Sequence, residues 1–262
     1  MTQSLAGKTA LVTGASSGLG VDFARELAAL GARLVLVARR EDLLKQVQAE
    51  IKNAHGVEVT TVALDLGSSS APQALFDLLK QQHLQIDVLI NNAGFGLFGP
   101  ELDISWERTQ QMLQLDIVAL THLTKLFARD MVKRRSGCIM QIASIGAFQP
   151  TPGYAAYSAA KSYVLSFGEA LSYELRGTGV SCTVVSPGVT ATEFLLVAGQ
   201  KPTPYQRLTM MSSAKVARIG VRAMRARRTS IITGWINWLL AMSVRFTPKP
   251  AVLWLADRFM KN

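Results

Sequence analysis

The chain has little cysteine and histidine, two Cys and three His among 262 residues. Cys138 and Cys182 sit in strand-like apolar runs, with no metal-ligand spacing and no His nearby. That excludes a disulfide framework and a zinc cluster, leaves no metal site, and makes buried, reduced thiols the expectation. Acidic residues are the scarcer charge, 18 Asp and Glu against 28 Lys and Arg, a net charge of +10. Much of the excess is late, from Arg218 through Arg228 to Arg258 and Lys261, without zinc-finger spacing or an RNA-binding aromatic signature, so no nucleic-acid partner is expected. The N-terminus lacks a charged segment followed by an apolar one, and a cytoplasmic protein is expected. Disorder is excluded by a 49% hydrophobic and 18% charged composition.

Short β-branched runs alternate with helical patterns along most of the length. The expected strands are Lys8–Thr13, Leu34–Ala38, Val57–Leu64, Val88–Asn91, Ile139–Ser144, Ser181–Ser186 and Ser230–Thr233. Between them the spacing predicts helices to Leu30, over Glu41–Asn53, Ala71–Gln82 and Trp106–Arg134, from Tyr154 to Arg176, and over Ser213–Arg227. Such alternation predicts one α/β domain over residues 1–262, a doubly wound Rossmann arrangement with a parallel sheet of about seven strands and helices on both faces. No linker or internal repeat interrupts it.

Directly after the first strand comes TGASSGLG, Thr13–Gly20, and then a helix. Glycines at 14, 18 and 20 let the backbone turn sharply and approach a phosphate, and the first amides of the helix supply donors. Strand, glycine loop and helix in that order predict a dinucleotide site. Where many such folds end the second strand on a carboxylate for the adenosine ribose, this chain has Ala38 followed by Arg39 and Arg40. Guanidinium groups fit a 2′-phosphate and cannot accept from a hydroxyl, which favours NADP(H) over NAD(H). The alternative is that both arginines only solvate the next helix. Asp65–Leu66 and Asn91–Gly94 fall at strand carboxyl ends, where open α/β sheets bind ligands.

Ser144, Tyr157 and Lys161 bring a hydroxyl, a phenol and an amine into one short span. Four residues apart on a helix, Tyr157 and Lys161 share a face. An ammonium beside a phenol favours the phenolate, so Lys161 is expected to lower the Tyr157 pKa and make it a proton donor and acceptor. Ser144 would hydrogen-bond an oxygen lying between itself and Tyr157. The plain alternative is a Tyr and a Lys that merely share a solvated helix face.

Residues 189–212 read as an apolar, proline-broken lid over the strand ends, mobile and in contact with substrate. Beyond them, 234–262 form an apolar and basic extension. Its run Ile231–Val244, with Trp235 and Trp238, is too short to cross a bilayer as one helix. Pro248 and Pro250 break it before Trp254, Arg258 and Phe259. This tail could lie in a lipid headgroup layer, form a subunit interface, or wall a substrate pocket.

With these residues assembled, the chain from Gly7 to Thr233 resembles the short-chain dehydrogenase/reductase family. TGASSGLG is similar to its cofactor loop, implying contacts from Gly14, Ser16, Ser17, Gly18, Leu19 and Gly20. Asn91-Asn92-Ala93-Gly94 resembles its strand-four motif, and Pro187-Gly188 with Thr190 and Thr192 its nicotinamide-contacting turn. Arg39, Arg40, Asp65, Leu66, Asn92, Ala93 and Gly94 complete the implied cofactor set. The resemblance makes Tyr157 the general acid for carbonyl reduction and the base for the reverse. By the same resemblance Lys161 lowers its pKa and binds the nicotinamide ribose, and Ser144 orients the carbonyl oxygen. Both Tyr157 and Lys161 thus also count as cofactor-binding. It further implies a dimer or tetramer built through the two long helices. One position departs from the pattern: Asp116 stands where the family usually has an Asn, whose role is to hold a proton-relaying water. The expected function is NADP(H)-dependent carbonyl reduction or alcohol oxidation on a hydrophobic substrate. The rival is a dinucleotide-binding module or membrane-associated scaffold in which Asp116 marks weakened catalysis.

Overall fold

The computed structural model describes residues 4–260. Residues 1–3 and 261–262, which include the basic Lys261 and the two ends of the expected domain, lie outside the described residues. Among the described residues there are nine strands: β1 (Thr9–Thr13), β2 (Arg33–Ala38), β3 (Val59–Ala63), β4 (Val88–Asn91), β5 (Gly137–Ile142), β6 (Val180–Ser186), β7 (Thr190–Ala191), β8 (Met211–Ser212) and β9 (Ser230–Ile232). Seven form one parallel sheet in the order β3-β2-β1-β4-β5-β6-β9, and β7 pairs separately with β8. The helices are α1 (Gly18–Ala29), α2 (Glu41–His55), α3 (Ala71–Gln81), α4 (Trp106–Leu113), α5 (Leu120–Lys133), α6 (Ala155–Glu174), α7 (Phe194–Ala198), α8 (Pro204–Thr209), α9 (Ser213–Arg225), α10 (Trp235–Ser243) and α11 (Lys249–Met260).

Parallel strands covered on both faces must be apolar throughout, and every residue of β1, β4 and β6 is buried. Alternate side chains serve opposite layers. Ala10, Val12, Leu34 and Leu36 pack with Phe23, Leu27, Leu44, Ile51 and Val221 of α1, α2 and α9. Leu11, Val35, Val37 and Leu89 face Leu75, Leu79, Leu123 and Phe127 of α3 and α5. This is the doubly wound architecture the alternation predicts. Its chain reverses direction of winding beside β1, which pairs with β2 on one side and β4 on the other. The carboxyl ends of β1 and β4 therefore diverge there and leave a crevice.

Two local expectations change. The long helix is not uniform: α4 and α5 are joined by a π-helical turn over Gln114–Ala119, whose wider spiral turns Asp116 fully into the interior. The strand before Ser144 ends at Ile142, two residues earlier than expected, because the Ser144 hydroxyl accepts from the Gly146 amide at 3.1 Å and caps a 3₁₀ turn over Ile145–Phe148. Cys138 and Cys182 are both free, and burial pushes the Cys182 thiol up to about 12 despite a hydrogen bond from Gln141. Among the described residues no three His, Cys, Asp or Glu side chains group to hold a metal ion, and no helix is long and apolar enough to cross a membrane.

Candidate active site

The crevice beside β1 opens into one continuous cavity of about 530 Å³. The glycine loop forms its floor at one end. Gly14 (φ +67°) and Gly18 (φ +56°) take the left-handed backbone that glycine tolerates, and a Cβ on Gly20 would stand 2.2 Å from the Gly14 carbonyl oxygen. No side chain can therefore replace Gly20 without opening the turn. Asn92 holds this loop: its Nδ2 donates to the Thr13 carbonyl at 2.9 Å, while the Asn92 and Ala93 amides donate to Thr13 Oγ1 at 3.0 and 2.9 Å. With its amide so engaged, Asn92 buttresses the loop from below. Asn91 turns the other way, donating to Thr124 Oγ1 at 2.9 Å and Gln141 Oε1 at 3.0 Å within the core.

Arg40 reaches across the loop, its Nη2 donating to Ser17 Oγ at 2.7 Å and pairing with Glu193 at 3.3 Å. Arg39 is largely exposed, 3.9 Å from Asp65. Ser16, Leu19, both arginines, Asp65 and Leu66 all line this end of the cavity. Backbone donors at the start of α1, a rigid glycine cradle and two guanidinium groups make a donor set that fits a dinucleotide phosphate chain with an additional terminal phosphate. Pro187, Gly188, Thr190 and Thr192 line the cavity between the loop and Tyr157. Thr190 donates to the Gly188 carbonyl at 3.0 Å, and Thr192 Oγ1 accepts from the Phe194 amide at 3.2 Å. These bonds fix the turn that leads into α7.

At the centre, the turn that follows β5 and helix α6 bring Ser144, Tyr157 and Lys161 together. The Lys161 ammonium lies 5.7 Å from the centroid of the Tyr157 ring and donates to the Ile142 carbonyl at 3.2 Å. It also stands 2.8 Å from Asp116 Oδ2, both side chains buried. Asp116 Oδ1 accepts from the Phe95 amide at 3.1 Å. A Cβ on Gly94 would fall 2.8 Å from that same oxygen, so the glycine of the Asn-Asn-Ala-Gly motif makes room for the carboxylate.

Lys161 acts on the Tyr157 phenol in the expected direction, but burial and Asp116 oppose it. Burial raises the Tyr157 pKa above the ordinary tyrosine value; Lys161 pulls the other way, but Asp116 offsets that pull, and the Ser144 hydroxyl adds only a small lowering. Lys161 itself is opposed by burial, yet Asp116 and Tyr157 hold it above the ordinary lysine value, as a firm cation. Asp116 is pushed up by burial against the attraction of Lys161 and the Phe95 amide.

Beyond Tyr157 the cavity turns apolar. Its ring packs against Phe194 at 5.3 Å and Tyr154 at 5.6 Å, and Tyr154 against Phe98 at 5.1 Å. The tail closes this end: Leu240, Val244, Val252 and Ala256 line it, and the Phe259 ring stacks on Tyr205 at 4.9 Å. Of the three roles open to the tail, walling the pocket is the one its inner faces take. The segment over 189–212 is anchored to it through buried amides. Gln200 Oε1 accepts from the Tyr154 hydroxyl at 2.8 Å and from Gln206 Nε2 at 2.9 Å, while Gln200 Nε2 donates to the Met260 carbonyl at 2.9 Å. Thr203 Oγ1 donates to the Phe259 carbonyl at 3.1 Å. Tyr154, Gln200 and Asn237, whose side chain abuts Gly188, escaped the sequence reading. Only Tyr154, three residues before Tyr157 and at the cap of the same helix, carried any signal.

The family model described as short chain dehydrogenase matches residues 8–202. The chain is 35% identical over 229 residues to the ketoacyl reductase HetN of Nostoc sp., covering 87% of this chain and 79% of that protein. To the human very-long-chain 3-oxoacyl-CoA reductase it is 32% identical over 246 residues, covering 89% of this chain and 77% of the relative. Among solved structures, a short-chain dehydrogenase from Sphingobium yanoikuyae in complex with NADPH superposes with a TM-score of 0.82 at 30% identity, covering 91% of this chain and 94% of that one.

Proposed function

The chain belongs to the short-chain dehydrogenase/reductase family of oxidoreductases, and from that premise we propose that it interconverts a carbonyl and an alcohol on a hydrophobic substrate with NADP(H). The observation that carries this reading is the position of Tyr157, at the junction of the glycine cradle and an apolar cavity closed by the tail. When bound, NADP(H) supplies or accepts the hydride. The start of α1 and the loop Gly14–Gly20 would hold its phosphates, Arg39 and Arg40 the 2′-phosphate, and Lys161 the ribose beside the nicotinamide. The NADPH complex of the Sphingobium relative supports that assignment.

The chain's own residues then position an oxygen and move a proton. Ser144 orients the substrate oxygen by hydrogen bonding, and Tyr157 donates its phenolic proton to it in reduction or takes one in oxidation. Burial, by raising the Tyr157 pKa, favours the protonated phenol, the form that donates in carbonyl reduction. The apolar far end suits an acyl or aromatic chain, and the ketoacyl and very-long-chain 3-oxoacyl-CoA relatives make 3-oxoacyl thioesters the first substrates to offer.

The test is NADPH oxidation across 3-oxoacyl thioesters of increasing chain length and aliphatic and aromatic ketones, with NADH alongside and Tyr157→Phe as control. Turnover with NADPH should rise with chain length and fall by at least roughly a hundredfold in the variant, while NADPH still binds. Saturable NADPH binding without turnover on any of these would favour the binding-module rival, for which the neutralisation of Lys161 by Asp116 is the supporting observation.

A further inference from the structure

Among the described residues, twelve of the seventeen exposed large apolar side chains lie on the lid and tail, a minor part of the chain, and nine of those twelve do not line the cavity. Three of the four tryptophans are among them: Trp235 is 73% exposed, Trp254 65% and Trp238 50%. The helices that carry them are two-faced. On α10, Leu240, Ala241 and the following Val244 face the cavity, while Trp235, Trp238 and Leu239 do not line it. On α11, Val252, Ala256 and Phe259 face inward and Leu253 and Trp254 outward. One wall thus has the substrate cavity on its inside and an apolar, aromatic surface in water on its outside.

That surface is also cationic. Lys201, Arg207, Arg245, Lys249 and Arg258, on the same segments, are all exposed, and among the described residues none of them is in an ion pair. The same segments carry only Glu193 and Asp257 in opposition, and Glu193 is already held by Arg40 at 3.3 Å. A second copy seated symmetrically on this patch would set these cations against their own images, within a chain that already bears a net charge of +10. An anionic surface meets no such penalty. Tryptophans beside Lys and Arg on short amphipathic helices match the boundary between lipid headgroups and acyl chains. No described helix could span the bilayer, so the mode is lying on it.

We infer that the outer face of the lid and tail docks on a lipid surface bearing anionic headgroups, with the substrate cavity directly behind the docked wall. The inference does not depend on which carbonyl is reduced, and its test needs no turnover. A chain stopped after Thr233 is unsuitable, because it would lose the cavity wall. Instead, the full chain and the variant with Trp235→Ser, Trp238→Ser and Trp254→Ser are co-sedimented with phosphatidylcholine–phosphatidylglycerol vesicles and with pure phosphatidylcholine vesicles. The unaltered chain should bind the anionic vesicles at least roughly tenfold more tightly than the neutral ones, with a blue shift of tryptophan emission. The triple variant should lose most of that binding, as should Arg245→Glu with Lys249→Glu. Equal binding to both vesicles, equal binding by chain and variants, or no binding together with a dimer that the triple variant dissolves would each overturn the inference. The last result would assign the patch to a second copy.

Discussion

Asp116→Asn keeps the shape of a buried side chain and removes its charge. In the native site the carboxylate is 2.8 Å from the Lys161 ammonium, which lies 5.7 Å from the centroid of the Tyr157 ring. At an effective dielectric constant of about 20, an ammonium at that separation favours the phenolate by about 3 kcal/mol. A carboxylate beside the ammonium cancels a share of this; cancelling half would withhold about 1.4 kcal/mol, a factor of ten in the phenolate-to-phenol ratio. The sign follows from the chemistry. Alcohol oxidation needs the phenolate, so in the variant its rate should reach half-maximum at lower pH and rise about tenfold at a fixed neutral pH. Reduction needs the protonated phenol and should begin to fall at lower pH than in the native protein. The substitution also strips a buried ammonium of its counter-charge, leaving it the Ile142 carbonyl at 3.2 Å. Breaking such a pair from one side typically costs about 3–5 kcal/mol, so the melting temperature should drop as activity rises. The assay is the pH profile of both directions with NADP(H), alongside thermal unfolding. A profile that stays in place, or moves to higher pH, would refute the claim that Asp116 restrains Tyr157 through Lys161.

Two further substitutions probe the ends of the cavity. Arg40→Ala removes the guanidinium that bridges Ser17 and Glu193, and should weaken NADPH binding by roughly ten- to a hundredfold while leaving NADH little changed. Titration by nucleotide fluorescence checks this, and an equal loss for both nucleotides would show that the arginine does not read the 2′-phosphate. Gln200→Ala strands the buried Tyr154 hydroxyl and the Gln206 amide and unties α11, at a cost of about 2–4 kcal/mol. Denaturant unfolding measures that loss; an unchanged midpoint would mean that the segment 189–212 is not fastened through this side chain.

Most of the architecture was legible in the order of the residues, because burial on both faces of a parallel sheet demands uninterrupted apolar strands and glycine alone satisfies the turn after β1. Thus Leu11 and Val35, Gly14 and Gly20, and the Tyr157-to-Lys161 spacing each carried local information about their place. The ends of elements were less legible. Ser144 moved out of its strand because its own hydroxyl captured the Gly146 amide, a local competition that an apolar run does not reveal.

By itself, then, the sequence determined the doubly wound sheet, the glycine cradle and the candidate proton-transfer pair, since each follows from short-range periodicity or from conformations that few residues can adopt. Tertiary structure decided the electrostatics and the closure. Asp116 and Lys161 are 45 positions apart in the chain, and only the π-helical turn and the space left by Gly94 set them 2.8 Å from each other. The same holds for the tail, whose hydrophobic pattern suits a membrane, a partner or a pocket alike. Packing resolves its inner face as the cavity wall, because the contacts that bury Val252 and Ala256, and the bonds from Gln200 and Thr203, join segments far apart in sequence.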